Sequence, residues 1–221
     1  MNSAYYPIKR LVDIVASIIL VVLFLPIWII IPIIMKLENP QYPLLYKPAR
    51  VGKDGELFKL YKFRSMIMLK GKNGKLEHAV NVWKKDKTLY EKYKKTGWKL
   101  EIDDDPRITK LGKFLRQTSI DEMPQVLNIL QGDMSLVGPR AYVQPEIDDA
   151  LKRFGKKKIG PFINASLAVK PGLTGPWQVS GRNKIAWDKR VEMDAAYAQR
   201  QSILEDLTII FKTPFAMISK W

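Results

Sequence analysis

The chain has 221 residues and a formal net charge of +15, with 37 lysines and arginines against 22 acidic residues. It has no cysteine and one histidine, His78, which excludes disulfides, thiolate metal sites and histidine-rich zinc sites and argues against Ser-His or Cys-His catalysis. The charge favours anionic partners such as nucleic acid, acidic lipid or phosphorylated substrates, and any metal would be held by oxygen atoms, which favours Mg²⁺ or Mn²⁺.

An uncharged apolar segment, residues 14–35, is the first predicted element. It is long enough for a membrane helix, which takes about 20 residues, and it is apolar on every face. Pro26, near its middle, removes a backbone hydrogen bond and predicts a kink. We expect Asp13, just before the segment, to lie at the membrane interface beside Arg10, because a carboxylate is costly in lipid.

Two membrane topologies are compatible with this segment. Basic residues flank it on both sides, with Lys9 and Arg10 before it and Lys36 after it. A spanning helix normally concentrates positive charge on its cytoplasmic side, whereas a helix that turns back at Pro26 leaves both ends on that side. Composition alone leaves the spanning and re-entrant topologies open.

Residues 44–66 predict a β-hairpin, because apolar and aromatic stretches flank a Gly-Lys-Asp-Gly turn. The Lys- and Glu-rich region after it predicts an amphipathic helix over about 78–95, for which a solvated face is preferred to nucleic-acid binding. Further along the chain, five helices are predicted, at 105–116, 122–130, 143–153, 187–200 and 202–218. A loop rich in glycine and proline is predicted at 170–182. The lysine run 156–158 and the last helix suit an anionic membrane surface.

The most informative segment runs from Ser119 to Gln125 and sets two adjacent carboxylates, Asp121 and Glu122, shortly after Arg116. Ser119 and Glu122 also fit a helix capping box, and on this segment alone that structural interpretation is preferred. Neighbouring side chains in a helix diverge by about 100°, so the two acids converge on one site only if Asp121 lies at a helix N-terminus. Adjacent acids beside arginine are typical of metal-assisted phosphoryl chemistry.

Four basic side chains sit in short motifs rather than in charge runs: Lys62, Arg64, Arg116 and Arg140. A planar guanidinium suits bidentate contact with phosphate oxygens. Taken singly, each of them is more often a surface ion-pair partner. Asp206 is a third candidate carboxylate, and by itself it ranks as a surface acid.

Six motifs in order along the chain together resemble the bacterial sugar transferases, the monotopic phosphoglycosyl transferases. They are Lys9-Arg10-x-x-Asp13, Lys62-Phe-Arg-Ser-Met66, Asp105-Pro-Arg-Ile-Thr109, Ser119-Ile-Asp-Glu-Met-Pro-Gln125, Gly132-Asp-Met-Ser-Leu-Val-Gly-Pro-Arg140 and Pro171-Gly-Leu-Thr-Gly-Pro-Trp-Gln-Val-Ser-Gly-Arg182. The resemblance covers about residues 9–213. Two positions depart from the family pattern, because Leu25 precedes Pro26 where many relatives have serine, and Ala141 follows the Gly-Pro-Arg motif where proline is usual.

The resemblance implies an enzyme that moves a sugar 1-phosphate from a UDP-sugar to undecaprenyl phosphate and releases UMP. It implies that Asp121 is the nucleophile, forming a phosphosugar-aspartyl intermediate, and that Glu122 with Asp121 holds Mg²⁺, with Mn²⁺ as the alternative. It also implies a re-entrant first helix that breaks at Pro26. The candidate substrate- and phosphate-binding residues are then Lys62, Arg64, Arg116, Arg140, Gln178, Arg182 and Asp206.

We therefore expect an α+β fold, mainly α, with a re-entrant membrane helix in residues 1–40, a small β-hairpin and interfacial amphipathic helices. Residues 41–221 form the expected catalytic domain, on the cytoplasmic face of the bacterial inner membrane and on anionic phospholipid. Nucleic acid is not an expected partner, and a homodimer is left open. The expected role is the first membrane step of surface glycan biosynthesis, in exopolysaccharide or lipopolysaccharide.

Galactose or glucose is the preferred donor sugar, while an N-acetylated or diacetamido (bacillosamine-type) donor stays open. The rival function from another class is a non-catalytic basic module anchored to the membrane. Such a module explains the charge and the apolar helix, but it gives no reason for Asp121 and Glu122 amid short basic motifs.

Overall fold

A computed structural model describes residues 4–70, 76–78, 88, 91–92, 95, 105–181 and 185–218. The described residues form two compact units, the first within 1–24, 47–61 and 124–221 and the second within 25–46 and 62–123. The apolar N-terminal segment contributes to both units, and the division at residue 40 inferred from the sequence stays a prediction. The architecture is mainly helical with short strand pairs, so the predicted fold class is confirmed at that level.

In chain order the helices are α1 (Tyr5–Leu23), α2 (Leu25–Glu38), α3 (Lys110–Thr118), α4 (Gln125–Gln131), α5 (Gln144–Phe154), α6 (Lys156–Leu167), α7 (Pro176–Ser180), α8 (Trp187–Arg200) and α9 (Ile203–Ile218). The strands are β1 (Leu45–Tyr46), β2 (Ala49–Val51), β3 (Leu57–Lys59), β4 (Lys62–Phe63), β5 (Met68–Lys70), β6 (Leu76–His78), β7 (Ser135–Val137) and β8 (Gly172–Thr174). Three pairs are antiparallel, β1 with β4, β2 with β3 and β5 with β6, whereas β7 and β8 are parallel.

The apolar segment forms two helices rather than one. Helix α1 ends at Leu23 and α2 begins at Leu25, so Pro26 lies in the first turn of α2, where its missing N–H is tolerated. Among the described residues no single helix is long and apolar enough to cross a membrane. Helices α1 and α2 meet that criterion only together, and they are bent by 61° at the break.

Helix α1 buries a polar stripe within the first unit. The stripe consists of Tyr5, Lys9, Asp13 and Ser17, which recur every fourth residue and therefore share one helix face. The other faces expose apolar side chains, among them Leu11, Ile18, Ile19, Val22 and Leu23. This is the reverse of a soluble amphipathic helix, whose apolar face is the buried one.

Asp13 is hydrogen-bonded to β7 rather than to Arg10, the neighbour expected for it. Its Oδ1 accepts hydrogen bonds from the Ser135 hydroxyl at 3.0 Å and the Leu136 N–H at 2.9 Å, at the start of β7. Arg10 instead donates to the Leu130 carbonyl at 2.8 Å, at the end of α4. The carboxylate is stabilised by protein donors, and its place relative to a membrane stays a prediction.

Two apolar clusters form the core of the first unit. One gathers side chains around β7 and α8: Leu60, Ile129, Met134, Leu136, Val137, Tyr197 and Ile209. The other lies around α6 and α8: Val51, Tyr142, Ile147, Ile159, Ile163 and Val191. The Gly138 region is closely packed against β8, since a Cβ on Gly172 would lie only 2.1 Å from the Gly138 nitrogen. This contact fixes the loop that leads to Arg140.

The second unit has its own core of Ile31, Met35, Phe63 and Leu115. Its helix α3 begins at Lys110, later than predicted, because the Thr109 hydroxyl caps the helix by accepting the Gly112 N–H at 2.8 Å. The preceding Asp105 and Arg107 are both buried and form a bidentate ion pair, with Arg107 Nη2 at 2.6 Å from Asp105 Oδ2. This local turn occupies the residues that the sequence assigned to the first helical turn.

Several predicted elements are confirmed. Strands β2 and β3 form the predicted hairpin around a 3-10 turn at Lys53–Gly55, and α5, α8 and α9 match the helices predicted at 143–153, 187–200 and 202–218. The predicted loop at 170–182 is wrong in part, because β8 and α7 lie within it. Most of the helix predicted at 78–95 falls outside the described residues.

Candidate active site

The acid pair lies in a 3-10 turn, Ile120–Glu122, in the second unit. Ser119 ends α3 in the left-handed region, with φ +59° and ψ 16°, and its side chain makes no cap to the turn. The capping box suggested by Ser119 and Glu122 is therefore not formed. The chain changes direction at this residue, and it is this turn, rather than the N-terminus of a long helix, that presents both acids.

Lys62 in β4 brings the two acids into one cluster. Its Nζ lies 2.6 Å from Glu122 Oε1 and 3.9 Å from Asp121 Oδ2. Asp121 is buried, whereas the Glu122 side chain is 41% exposed. One ammonium is therefore shared by two adjacent carboxylates, and Glu122 is the more exposed of the two.

Arg116 lies on α3 of the same unit and is positioned by the Lys-Phe-Arg-Ser-Met segment. Its Nε donates to the Ser65 hydroxyl at 2.9 Å. Helix α3 can approach that segment closely only because residue 112 is glycine, where a Cβ would lie 1.9 Å from the Ser65 carbonyl oxygen. The structure thus brings Lys62, Asp121 and Glu122 directly together and fixes Arg116 through Ser65.

The Arg64 side chain is buried and contacts other protein groups. It is only 3% exposed, its Nε donates to the Pro43 carbonyl at 3.0 Å, and its guanidinium lies 5.0 Å from the centre of the Tyr42 ring. Burial lowers the pKa of this guanidinium. We assign Arg64 to holding residues 42–43 near the end of β4.

Arg140 and Gln178 both lie in the first unit, near Trp177. The Arg140 guanidinium carbon is 5.5 Å from the centre of the Trp177 ring, and Gln178 is the next residue of α7. The Arg140 backbone N–H donates to Asp194 Oδ2 at 3.0 Å, and the Tyr142 hydroxyl donates to the same oxygen at 2.7 Å. Asp194 therefore fixes the turn that carries Arg140.

Asp206, also in the first unit, belongs to a buried network. Its Oδ2 accepts from Lys9 Nζ at 2.7 Å and from the Tyr5 hydroxyl at 2.9 Å, and its Oδ1 accepts from the Tyr197 hydroxyl at 2.5 Å. Burial raises the pKa of Tyr197 far above its ordinary value, which keeps this hydroxyl a neutral donor. Both carboxylate oxygens are used by protein groups, so we assign Asp206 to joining α1 and α9 rather than to substrate binding. Arg182 lies outside the described residues.

A divalent metal fits the acid pair under one condition. Phosphoryl-transfer Mg²⁺ is usually held by one or two carboxylates together with substrate phosphates and water. Asp121 and Glu122 are a pair of this kind, but within the described part of the chain no group of three or more Asp, Glu or His side chains is placed to hold a metal. The donor set therefore suits a metal shared with a diphosphate, not one held by protein alone.

The sequence did not reveal the roles of two residues that shape these clusters, Ser65 and Asp194. The pairing of Lys9 with Asp206 was also unforeseen, although a signal for it exists in the spacing of four between Tyr5, Lys9 and Asp13. Asp194 likewise stands alone among the apolar residues of the buried face of α8. A single carboxylate on such a face indicates a buried polar role.

Asp194 leads to a prediction for the pH dependence of stability. Burial raises the pKa of Asp194 from 3.8 to about 7, and the hydrogen bond from the Arg140 N–H only partly offsets this. Between these values the folded protein keeps a proton that the unfolded chain has lost, so the free energy of unfolding falls as the pH rises, by up to about 1.4 kcal/mol per pH unit. Relative to the parent, Asp194→Asn should gain about 2 kcal/mol between pH 5 and pH 7 in urea unfolding.

Asp148→Asn is the matched control for this measurement, because Asp148 is exposed on α5. Its stability relative to the parent should stay constant over the same pH range. A constant difference for Asp194→Asn as well would contradict the prediction.

Comparison with known proteins places these clusters in context. The model of the family described as bacterial sugar transferase matches residues 4–220. The chain is 39% identical over 211 residues to an undecaprenyl-phosphate galactose phosphotransferase of Salmonella typhimurium, covering 93% of this chain and 39% of the relative. It is 36% identical over 207 residues to the exopolysaccharide production protein ExoY of Sinorhizobium fredii, covering 93% of this chain and 83% of the relative.

A third relative is the UDP-glucose:undecaprenyl-phosphate glucose-1-phosphate transferase of Escherichia coli, 33% identical over 213 residues. The chain spans only 39% of the length of this protein and of the Salmonella relative. The match to ExoY, in contrast, extends over most of both chains.

Proposed function

Because the chain belongs to the bacterial sugar transferase family, we propose that it transfers a hexose 1-phosphate from a UDP-sugar to undecaprenyl phosphate and releases UMP. Galactose or glucose is the proposed sugar, in line with the names of the Salmonella and Escherichia coli relatives, and an N-acetylated or diacetamido donor is the alternative. The proposed role is the first membrane step in the synthesis of a surface glycan, in line with the name of ExoY.

The observation that carries this proposal is the cluster of Asp121, Glu122 and Lys62. In the proposed first step a carboxylate oxygen of Asp121 attacks the phosphorus that bears the sugar, and the bond from that phosphorus to the bridging oxygen breaks. UMP leaves with the bonding electrons, and a phosphosugar-aspartyl ester remains. Lys62, within 4 Å of both acids, offsets the negative charge that would otherwise oppose an anionic donor.

In the second step a phosphate oxygen of undecaprenyl phosphate attacks the same phosphorus. The aspartyl–phosphorus bond breaks, the Asp121 carboxylate is restored, and the lipid diphosphate sugar is formed. Two anionic substrates therefore use one nucleophile in turn and need not be bound together. A Mg²⁺ ion bound with the diphosphate would neutralise its charge, with Glu122 and Asp121 as its proposed protein ligands.

The membrane location of the proposed acceptor agrees with the apolar surfaces of the helices. Helix α9 exposes Leu204, Leu207, Phe211 and Phe215, which are spaced so that they share one face. Helix α1 exposes apolar side chains on the faces outside its polar stripe. We propose that α1 and α2 form a re-entrant membrane element, that α9 lies at the interface, and that the catalytic residues face the bacterial cytoplasm.

A donor screen tests the proposed function. The purified full chain, undecaprenyl phosphate and Mg²⁺ are incubated in turn with UDP-galactose, UDP-glucose, UDP-N-acetylglucosamine and a UDP-diacetamido sugar, and the release of UMP and labelled lipid is measured. We expect both products with at least one hexose donor. If no donor yields either product in a preparation that is folded, the non-catalytic membrane-anchored module becomes the better description.

Cysteine labelling tests the re-entrant topology, and the absence of native cysteine makes each engineered site unique. Single cysteines at Ser3 and Asn39 should both resist a membrane-impermeant maleimide in intact cells and both react once the membrane is opened. A cysteine at Asp148 marks the side of the catalytic residues. Labelling of only one of the first two sites in intact cells would instead establish a spanning segment.

A further inference from the structure

Two cationic side chains of the first unit meet at the end of α4. Gly132 follows this helix with a φ of +94°, and that backbone conformation by itself explains the glycine. A Cβ built on Gly132 would lie 3.5 Å from Lys170 Nζ and 3.8 Å from Arg10 Nη2. Apart from the glycine and its two chain neighbours, no other described atom lies within 4 Å of that position. A ligand oxygen near this one position can therefore approach both cationic nitrogens.

Arg10 and Lys170 differ in how their donors are used. The Arg10 guanidinium donates to the Ile129 and Leu130 carbonyls, which fixes it at the end of α4. Lys170 Nζ makes no hydrogen bond and no ion pair within the described part of the chain. The Lys170 side chain is nevertheless partly buried, and burial, followed by the charge of Arg10, lowers its pKa. An acceptor that carries negative charge would stabilise this ammonium.

The acidic groups near Lys170 offset its charge only in part. Asp13 and Asp133 act to raise the pKa of Lys170, but neither forms an ion pair with it within the described residues. Asp13 accepts hydrogen bonds at the start of β7, and Asp133 Oδ2 accepts from the Asn128 side-chain amide at 3.2 Å. Lys53, in the same unit, acts in the opposite direction and lowers the pKa of Lys170. The site therefore favours a bound anion.

The surroundings of the two cations indicate an anion that is carried by a lipid. Arg10 lies on α1, where its neighbours Ile8 and Leu11 are 46% and 62% exposed. A phosphate at the end of an acyl or prenyl chain offers oxygens to the cations and apolar surface to these side chains. A small soluble anion would use only the cations. Arg10, Lys170 and Gly132 are all partly exposed, so a ligand can reach them from outside the protein.

We propose that Lys170 and Arg10, on either side of the position beside Gly132, form a binding site for the phosphate group of a membrane lipid. Two lipids supply this chemistry, an anionic phospholipid and the polyprenyl phosphate acceptor. Binding of the phospholipid rests only on the proposed membrane location of α1. Binding of the acceptor rests on the proposed transfer reaction as well.

Three variants of the full chain in detergent test this site: Lys170→Gln, Asp133→Asn and Lys152→Gln. Lys152 is the matched control, because it is an exposed lysine in the last turn of α5. Arg10 is left unchanged, since it also holds the end of α4. Native mass spectrometry gives the Kd of phosphatidylglycerol, phosphatidylcholine and a short-chain polyprenyl phosphate for each variant, and melting temperatures are recorded in parallel.

We expect the parent to bind an anionic lipid more tightly than phosphatidylcholine. Lys170→Gln should weaken this binding about fivefold or more, whereas Lys152→Gln should bind as the parent does. Asp133→Asn should strengthen it, because the variant removes a negative charge that opposes the anion. A loss for phosphatidylglycerol identifies the phospholipid as a ligand. A loss for polyprenyl phosphate identifies the acceptor, and the KM for the acceptor then rises while that for the UDP-sugar stays unchanged.

The proposal is overturned if the parent binds both anionic lipids no more tightly than phosphatidylcholine, or if Lys170→Gln and Lys152→Gln lose binding equally. Unchanged lipid binding by Lys170→Gln at a lower melting temperature would also overturn it, because Lys170 would then only stabilise the end of α4. If Lys170→Gln does not fold, Asp133→Asn decides, and binding no tighter than the parent's overturns the site. Phosphatidylglycerol binding needs no turnover, so an inactive parent would defeat the proposed function and leave this site to be judged by binding alone.

Discussion

Asp121→Asn is expected to lower the rate of sugar-phosphate transfer by about 10³-fold or more, because an amide oxygen cannot replace a carboxylate as the nucleophile toward phosphorus. The change is nearly isosteric, and Lys62 keeps its shorter contact, the one to Glu122. The melting temperature should therefore stay close to that of the parent. UMP release with the best donor from the screen is the measurement.

The parent incubated with donor alone should carry a sugar phosphate on Asp121, detectable by mass spectrometry of its peptides, and the variant should carry none. Asp148→Asn serves as the control, since it removes an exposed carboxylate elsewhere and should leave the rate unchanged. Transfer by Asp121→Asn within tenfold of the parent would rule out the covalent route through this residue.

Asp206→Asn is expected to destabilise the first unit by about 3 to 5 kcal/mol, because it leaves the buried Lys9 ammonium without its counter-charge. The Lys9 and Asp206 side chains are only 11% and 8% exposed, and their charged atoms are 2.7 Å apart. The double variant Lys9→Met with Asp206→Asn should recover much of this loss, since it removes both charges. Urea unfolding in detergent measures all of the variants.

Glu205→Gln is the matched control, one residue away on α9. Its partner Arg200 is 68% exposed, so loss of this surface pair should cost about 1 kcal/mol or less. A substrate-binding role for Asp206 would give a different pattern, in which Asp206→Asn keeps its stability and raises the KM for a substrate. That pattern would overturn the structural role assigned here.

The long periodic helices could be predicted from the sequence because their buried faces repeat at helical spacing. Helices α5, α8 and α9 are of this kind, and so is the hairpin with its Asp-Gly turn. The two-residue and three-residue strands could not be predicted in the same way. Strand β7 and strand β8 pair across more than thirty residues of chain, and their pairing depends on glycines whose close contacts exist only in the folded protein.

The candidate site, too, could be predicted from the sequence only in part. The motifs in the sequence pointed to Asp121, Glu122 and Lys62, and the structure brings these three together. Arg64 belongs to a motif too, and Asp206 is a candidate carboxylate outside the six motifs, yet the side chains of both are committed to buried protein partners. A motif records which residue types occur at a position, but it does not separate groups that contact a ligand from groups that hold the chain in place. The burial and the hydrogen-bond partners of each side chain in the structure distinguish the two kinds of group.

The buried contact between Lys9 and Asp206 joins residues 197 positions apart. During synthesis Lys9 leaves the ribosome long before Asp206 is translated. Until α9 has been made, the Lys9 ammonium and the Tyr5 hydroxyl of α1 lack their shared carboxylate partner. Helix α1 therefore gains this buried partner only after α9 has been made. Replacing α1 with a generic apolar helix of equal length would keep its apolar surface and lose this buried contact.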